Sequence, residues 1–169
     1  MVKSIFKSAP GARRRSFSRV ARYAERIGKQ ERGNLAVILA SAYLHDIGIK
    51  ESERKHQSSA ARYQEEEGPP VARDILEKLG AKPPLIDEVC DIISHHHHPR
   101  PEESTNFKCV YDADLIANLE ENHKGSPMGA EELERILSKS FLTESGKTLG
   151  GEVLCDKERS WGSKEDMES

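Results

Sequence analysis

An apolar run that ends in a histidine and an aspartate constrains this chain more than any other feature of its sequence. The run Leu35–Leu44 predicts a helix buried in the core, and Gly48 predicts a left-handed turn after it. His45 and Asp46 therefore fall where the helix leaves the core. Buried polar groups need partners, and a divalent metal accepts both imidazole and carboxylate ligands. A capping aspartate beside a packed histidine would explain the same pair, so the pair alone leaves both interpretations open.

The length and composition of the chain favour a single helical domain. At 169 residues it can bury one substantial core, and charged residues make up 33% of it against 5% aromatics. This composition is typical of a helix-rich protein rather than a β-sandwich or barrel. The sequence contains no strand pattern of useful length and no repeat, so we predict an all-α, compact bundle of roughly seven or eight helices.

Apolar residues at helical spacing, together with glycines and prolines, set the predicted boundaries. We expect a charged connection over 50–55, and helices that stop at Gly68-Pro69-Pro70 and at Pro99. The predicted helices cover residues 16–29, 35–44, 58–67, 70–79, 83–98, 105–122, 130–143 and 143–154. The helical domain is expected to span residues 16–155, between a basic N-terminal arm (1–15) and a polar C-terminal tail (156–169).

Charge and cysteine usage limit the expected partners and location of the protein. The net charge of −3 gives no strong signal for nucleic-acid binding, and no apolar stretch is long enough to span a membrane. Three widely spaced cysteines without a Cys-x-x-Cys motif favour a reducing cytoplasm. Nothing in the pattern indicates an oligomeric state.

A carboxylate in the sixth predicted helix is a stronger signal than the His-Asp pair alone. On a helical wheel Asp114 lies in the centre of an apolar stripe, with Asn118 one turn further on and Asp112 on the opposite face. An unpaired buried charge costs several kcal/mol, so Asp114 needs a cation or strong donors. Either a core salt bridge to an arginine or a metal shared with His45 and Asp46 would satisfy it.

Further histidines are candidates to join such a site. A tract of four adjacent histidines, residues 95–98, follows the fifth predicted helix. Four adjacent side chains cannot share one helical face, and the wheel favours His96 with His97 if the helix continues this far. His56 comes ten residues after Asp46 at the start of a predicted helix, where a histidine can meet an anion or a metal. Each of these histidines would otherwise be an ordinary solvated side chain.

Nitrogen and oxygen ligands of this kind suit one or two divalent ions. Zinc-finger and zincin spacings are absent. The residue types are compatible with Mn²⁺, Fe²⁺, Ni²⁺, Zn²⁺, Co²⁺ or Mg²⁺, and the spacing does not select among them.

Together these motifs resemble the HD-domain superfamily of metal-dependent phosphohydrolases, of the HDIG type. The resemblance covers most of residues 16–154 and implies an all-α HD-domain-like bundle. The segments that carry it are Arg19-Val20-Ala21-Arg22-Tyr23-Ala24, Leu44-His45-Asp46-Ile47-Gly48, Lys55-His56, Ile92-Ile93-Ser94-His95-His96 and Asp112-Ala113-Asp114-Leu115.

The resemblance also implies a set of metal ligands. They are His45, Asp46 and Asp114 for a first ion, and His56, His95 and His96 for a second. Asp46 would bridge the two ions. The family pattern places His95 beside His96 in the second site, whereas helical spacing favours His97 beside it.

One position departs from the family pattern. The family usually has a histidine three residues before the Arg-Val pair, and this chain has Ser16 there. Serine is a poor ligand for most divalent metals. Either a water fills the position of the missing ligand, or the first site is weak, or the protein has lost turnover. The alternative function is therefore a catalytically impaired metal- or nucleotide-binding HD module.

The function implied by the resemblance is hydrolysis of a nucleotide or another small phosphoester by metal-activated water. We expect Asp46 and Lys50 to take part in catalysis. Lys55, Arg100 and Asn118 are expected to bind the substrate, the two cations through its phosphate. A purely structural helical bundle, which would bind no metal, is the third possibility.

Overall fold

The apolar run Leu35–Leu44 is the central helix of the structure. The computed structural model describes the backbone of residues 11–162 and the side chains of residues 19–155. Within that part the chain forms eight helices and no strand, so the predicted all-α bundle is confirmed. The helices are α1 Gly11–Gln30, α2 Leu35–Leu44, α3 Ile49–His56, α4 Ala61–Lys78, α5 Pro83–Ser94, α6 Thr105–Gly125, α7 Ala130–Lys139 and α8 Glu144–Gly162.

Helix α2 packs against α1, α5 and α6. The side chain of Asn34 caps its first turn, accepting hydrogen bonds from the backbone N–H of Ala36 at 3.1 Å and Val37 at 3.4 Å. Because α2 is apolar on every side, most of it can be enclosed by its neighbours. The end of the helix, and the His-Asp pair that follows it, is therefore carried into the interior of the bundle.

Large apolar side chains from α1, α5 and α6 surround α2 and form the main core. Burial of each such side chain contributes about 1.5–3 kcal/mol to stability, so this core fixes the relative positions of the four helices. The fully buried members include Val20, Ile27, Ile38, Leu44, Val89, Ile92, Ile93, Phe107 and Ile116.

The prediction of a charged connection over residues 50–55 was wrong, because this stretch belongs to helix α3. Its buried contact is polar, since the hydroxyl of Ser52 donates to the backbone carbonyl of Ser58. Lys55 pairs with Glu67 of α4, with 2.7 Å between Nζ and Oε2. Apolar periodicity is absent from α3, and a prediction based on that periodicity misses a helix held by polar contacts.

The prediction of two helices separated by Gly68-Pro69-Pro70 was also wrong, because a single helix α4 runs through all three residues. The prolines remove helical hydrogen bonds, but α4 is packed along α3 and α5. The thiol of Cys90 in α5 donates to the carbonyl of Pro69 at 3.5 Å. Packing against two neighbouring helices outweighs the local effect of the prolines.

The glycine after the His-Asp pair is required for close packing. The predicted left-handed turn is wrong, since Gly48 has φ −74° and ψ −12°. A Cβ atom at Gly48 would lie 2.5 Å from the carbonyl oxygen of Gln64 and 2.6 Å from the backbone nitrogen of Gly68. The backbone that follows Asp46 is therefore in direct contact with α4.

Within the described part, no helix combines the length and the apolar composition needed to cross a membrane. The predicted basic arm and polar tail lie mainly outside that part, and so does the side chain of Ser16. The proposed division at residues 15/16 and 155/156 stays a prediction, as does a cytoplasmic location.

Candidate metal centre

Three of the predicted ligands meet where the C-terminal end of α2 faces α6. His45 Nε2 lies 3.4 Å from Asp46 Oδ2 and 3.4 Å from Asp114 Oδ1. The imidazole is buried, while the carboxylates of Asp46 and Asp114 keep 28% and 15% of their exposure. The group therefore lies at the edge of the core, where it can reach both interior and solvent.

A backbone contact orients the His45 ring. Its Nδ1–H donates to the carbonyl oxygen of Ala42, one turn earlier in α2, at 2.8 Å. This bond directs Nε2 towards the carboxylates of Asp46 and Asp114. A histidine that ligates a metal through one nitrogen and donates from the other to a backbone carbonyl has the same arrangement.

The two carboxylates favour a positive charge at His45. Burial lowers the pKa of His45, but Asp46 and Asp114 raise it more, to about 10. Burial raises the pKa of Asp114, but the neighbouring His45 lowers it more, and the net shift is downward. The positive charge favoured at this point can be a proton on His45 or a divalent cation.

A fourth predicted ligand, His96, faces Asp46 from the turn after α5. Its Nδ1–H donates to the carbonyl of Ile93 at 2.8 Å, and its Nε2 lies 3.9 Å from Asp46 Oδ1. Nε2 is buried and has no hydrogen-bond partner among the described residues. Burial, together with His45 and His97, lowers the pKa of His96 to about 4, which keeps the ring neutral. A buried lone pair of this kind is costly unless a donor or a cation meets it.

The histidine tract forms a turn, so the helical wheel does not apply to it. Helix α5 ends at Ser94, and the backbone N–H of His98 donates to the carbonyl of His95 at 2.8 Å. His96 and His97 are the central residues of this turn. Ligand atoms of Asp46, His96 and His97 all lie within 4.8 Å of one another. Asp46 thus belongs to two groups, one with His45 and Asp114 and one with the two histidines.

The structure places the other two predicted histidine ligands against carboxylates. His95 has Nδ1 2.7 Å from the carbonyl oxygen of Asp91 and Nε2 2.7 Å from Glu103 Oε1. His56 Nε2 lies 3.0 Å from Glu67 Oε1. Within the described part of the chain, neither histidine belongs to the close group of ligand atoms around Asp46.

The residues predicted to act on or bind the substrate differ in whether a carboxylate already pairs with them. Lys55 is bound to Glu67, and the guanidinium of Arg100 pairs with both carboxylate oxygens of Asp91, at 3.0 and 3.2 Å. Lys50 in the first turn of α3 is exposed and forms no ion pair with a described residue, and Asn118 is exposed on α6. Among the described residues, Lys50 is therefore the cation without an ion pair that lies closest in sequence to Asp46.

The burial of Asp112, another carboxylate on α6, was not predicted. Asp112 is fully buried and accepts hydrogen bonds from the backbone N–H of Leu142 at 2.9 Å and of Thr143 at 2.8 Å. The signal in the sequence was the apolar character of the same face of α6, which carries Cys109 and Ile116. A helix that is apolar on both sides is buried on both sides.

The donor set around Asp46 fits a divalent cation. It combines imidazole nitrogens with carboxylate oxygens, which are ligands for Mn²⁺, Fe²⁺, Ni²⁺, Co²⁺ and Zn²⁺. The strongest single sign of a bound cation is the buried Nε2 of His96, which has no hydrogen-bond partner among the described residues. The imidazoles of His45 and His96 are also oriented by backbone carbonyls, as expected for metal-binding histidines.

Comparisons with known proteins identify the family and the fold of the chain. A family model described as HD domain matches residues 17–119. The fold is similar to a crystal structure of a predicted HD superfamily hydrolase from an uncultured Thermotogales bacterium, with a TM-score of 0.65 and 21% identity over 96% of this chain and 88% of the other. No curated protein matches the chain. Since the HD domain match spans more than half of its residues, the chain belongs to the HD domain family.

Proposed function

We propose that the chain is a metal-dependent phosphohydrolase that acts on a nucleotide or another small phosphoester. The observation that carries the proposal is the buried Nε2 of His96, which faces Asp46 and has no hydrogen-bond partner among the described residues. Membership of the HD domain family supports metal-dependent phosphoester hydrolysis in general terms. The nucleotide is our proposal for the substrate class.

The proposed ligands of a first ion are His45, Asp46 and Asp114, and those of a second ion include Asp46 and His96. When bound, a divalent cation would activate water as a nucleophile and offset negative charge on the phosphoryl oxygens. The roles of His56 and His95 as ligands stay predictions, and each side chain would have to leave its carboxylate partner first.

Residues of the chain would hold the substrate and the ligands in place. Asp46 directs Oδ2 towards His45 and Oδ1 towards His96, so a single carboxylate connects the two groups. Lys50 is the proposed phosphate clamp, because Lys55 and Arg100 are already paired with carboxylates. Asn118, which is exposed one turn after Asp114, would contact the substrate.

Metal reconstitution of the full chain tests the proposed function. The chelator-treated protein is reloaded with Mn²⁺, Co²⁺, Ni²⁺, Zn²⁺, Fe²⁺ or Mg²⁺, and phosphate release is measured from an aryl phosphate and a nucleotide panel. We expect hydrolysis that depends on the added metal and is lost in Asp46→Asn. Asp74→Asn, an exposed aspartate on α4, is the matched control and should retain activity. A folded, metal-loaded protein that hydrolyses none of these substrates would contradict the proposal.

The alternative is a metal- or nucleotide-binding module with little turnover, and Ser16 is the sequence feature that favours it. The variant Ser16→His separates the two functions by restoring the residue type that the family pattern has at this position. A large gain in turnover at unchanged substrate affinity would identify the natural protein as an impaired enzyme. Equal turnover of the variant and the natural protein would favour the hydrolase as it stands.

A further inference from the structure

On the basis of the proposed function, we infer that Glu65 is a positioning residue of the metal centre. Its carboxylate holds the turn 95–98 so that His97 presents a ligand atom to the group formed by Asp46 and His96. Glu65 itself belongs to α4 and contributes no ligand atom to the group around Asp46.

The turn itself leaves a donor that Glu65 satisfies. The hydrogen bond from His98 to His95 closes the turn but does not use the N–H of the central residue His97. That N–H donates to Glu65 Oε1 at 2.9 Å. The imidazole of His98 adds a second contact, with Nδ1 2.9 Å from Glu65 Oε2. One carboxylate therefore binds two consecutive residues of the turn.

The carboxylate of Glu65 is well placed to act as a fixed anchor. Its side chain keeps only 10% of its exposure, although the neighbouring Glu66 is exposed. The adjacent backbone of α4 is held at Gly68, which packs against Gly48 just after the His-Asp pair. The same segment of α4 thus supports both sequence stretches that supply Asp46 and His97. Hydrogen bonds to an ionised carboxylate are also stronger than those between neutral groups.

A second carboxylate holds the opposite end of the turn. Glu103 Oε1 accepts the backbone N–H of Arg100 at 2.7 Å and lies 2.7 Å from His95 Nε2. The ring of His95 also stacks on Phe107, with 4.6 Å between centroids. The contacts with Glu103 and Phe107 fix the ring of His95, the first histidine of the tract. With the turn held at Glu65, the ring of His97 faces Asp46.

A purely structural role for Glu65 makes a different prediction from a positioning role. Loss of a structural contact would lower the melting temperature and leave the ligands of a bound metal unchanged. Loss of a positioning contact would act through His97, so it would change the ligand field of the bound ion. The losses of metal affinity caused by substitutions of Glu65 and of His97 would then not be additive.

Titration of the full, metal-free chain with Co²⁺ distinguishes these roles, because the visible absorption of Co²⁺ reports its ligands. The phase of the titration that is altered in His97→Ala identifies the ion held by His97. We expect Glu65→Ala to weaken Co²⁺ binding in that phase by roughly 10–100-fold and to shift its spectrum, as for other groups that orient a ligand. Glu65→Gln should recover most of the affinity, since its amide oxygen can accept the His97 N–H. The exposed neighbour supplies the control, Glu66→Ala, which should match the natural protein.

The double variant Glu65→Ala/His97→Ala completes the test and should bind Co²⁺ no more weakly than His97→Ala alone. Wild-type affinity and spectrum in Glu65→Ala, or additive losses in the double variant, would overturn the inference and leave the proposed function standing. If the natural chain binds no metal at all, the proposed function fails as well. Circular dichroism and melting of the metal-free proteins verify folding. Should Glu65→Ala not fold, Glu65→Asp, whose shorter side chain cannot span the same distance, is expected to show the same weakened phase.

Discussion

Asp112 and Asp114 are two carboxylates of helix α6 that face opposite sides of the helix and meet different partners. Asp112 is fully buried and receives hydrogen bonds from Leu142 and Thr143, at the start of α8. Asp114 is partly exposed and faces His45 Nε2. Burial alone therefore does not mark a metal ligand. The distinction lies in whether the protein itself supplies enough donors, as it does for Asp112.

The pKa values of the two carboxyl groups shift in opposite directions. Burial raises the pKa of Asp112, and the hydrogen bonds from Leu142 and Thr143 offset only part of that effect. Burial also favours a higher pKa for Asp114, but His45 reverses the shift. A positive charge beside Asp114 keeps it ionised, whereas the donors to Asp112 are neutral and the nearby Glu31 also raises the pKa of Asp112. Only the first environment is suited to a cation.

The largest expected effect is on the Asp114 side. Asp114→Asn should weaken binding of the first metal by more than about 100-fold, because loss of groups outside the ligand shell already costs roughly 10–100-fold. Phosphate release should fall in parallel. Metal titration and steady-state assays measure both quantities. Asp112→Asn is the matched control and should bind metal with nearly natural affinity, and equal loss in the two variants would remove the distinction between the two sides.

On the other side, Asp112→Ala should destabilise the fold and spare the metal centre. The substitution leaves the backbone N–H groups of Leu142 and Thr143 without an acceptor, and we expect a loss of about 2 kcal/mol in the free energy of unfolding. Urea denaturation of the metal-free protein measures the loss. Natural stability in this variant would mean that solvent replaces the carboxylate without penalty.

The difference between the two carboxylates also shows where sequence patterns stop being informative. The core position of Leu35–Leu44 and the cap at Asn34 were predictable, because local spacing and a local side chain determine them. The approach of His45 to Asp114 was predictable in outline, since a buried charge must be met by something. The burial of Asp112 was not predicted, because Asp112 lies outside the apolar stripe that carries Asp114, on the face of α6 that carries Cys109 and Ile116.

Contacts between distant segments account for the remaining errors. Helix α4 continues through Pro69 and Pro70 because α3 and α5 pack along it, and no local rule contains that information. The proximity of His97 to Asp46 depends on a turn that begins after Ser94. Helical spacing favoured His97 beside His96 on the assumption that the helix continued to this point. The helix ends at Ser94, so the assumption was wrong, although the two side chains do lie together.

The charge beside Asp114 predicts a dependence on pH that the Asp112 side should not share. His45 has a pKa of about 10 in the folded chain against an ordinary value of 6.5. In the metal-free protein, its stabilising contribution is fully present below pH 6.5 and is lost as the pH rises through about 10. A metal ion must displace this proton to bind His45. The affinity of the protein for the metal should therefore rise about tenfold per pH unit between pH 6.5 and about 10.

Calorimetry in buffers of different ionisation enthalpy measures the proton released on metal binding. The variant Asp112→Ala should release the same proton, because it leaves His45, Asp46 and Asp114 in place. Metal binding without proton release near neutral pH would contradict a protonated His45 in the metal-free protein.

The smallest expected effect tests how closely α8 packs on the Asp112 side. A Cβ atom at Gly146 would meet the Asp112 carboxylate, with 2.7 Å to its Cγ. Gly146→Ala should therefore cost about 1 kcal/mol in the free energy of unfolding, because a fully buried carboxylate has little room to move.

Gly151→Ala, in the same helix, is the control, since its nearest neighbour would be Leu137 Cδ1 at 3.9 Å. Alanine is favoured over glycine in a helix, so this variant should be as stable as the natural protein or more so. Equal unfolding curves for the two variants would show that the contact between α8 and Asp112 is looser than the structure indicates, and that the Asp112 side resembles the accessible Asp114 side more than its burial suggests.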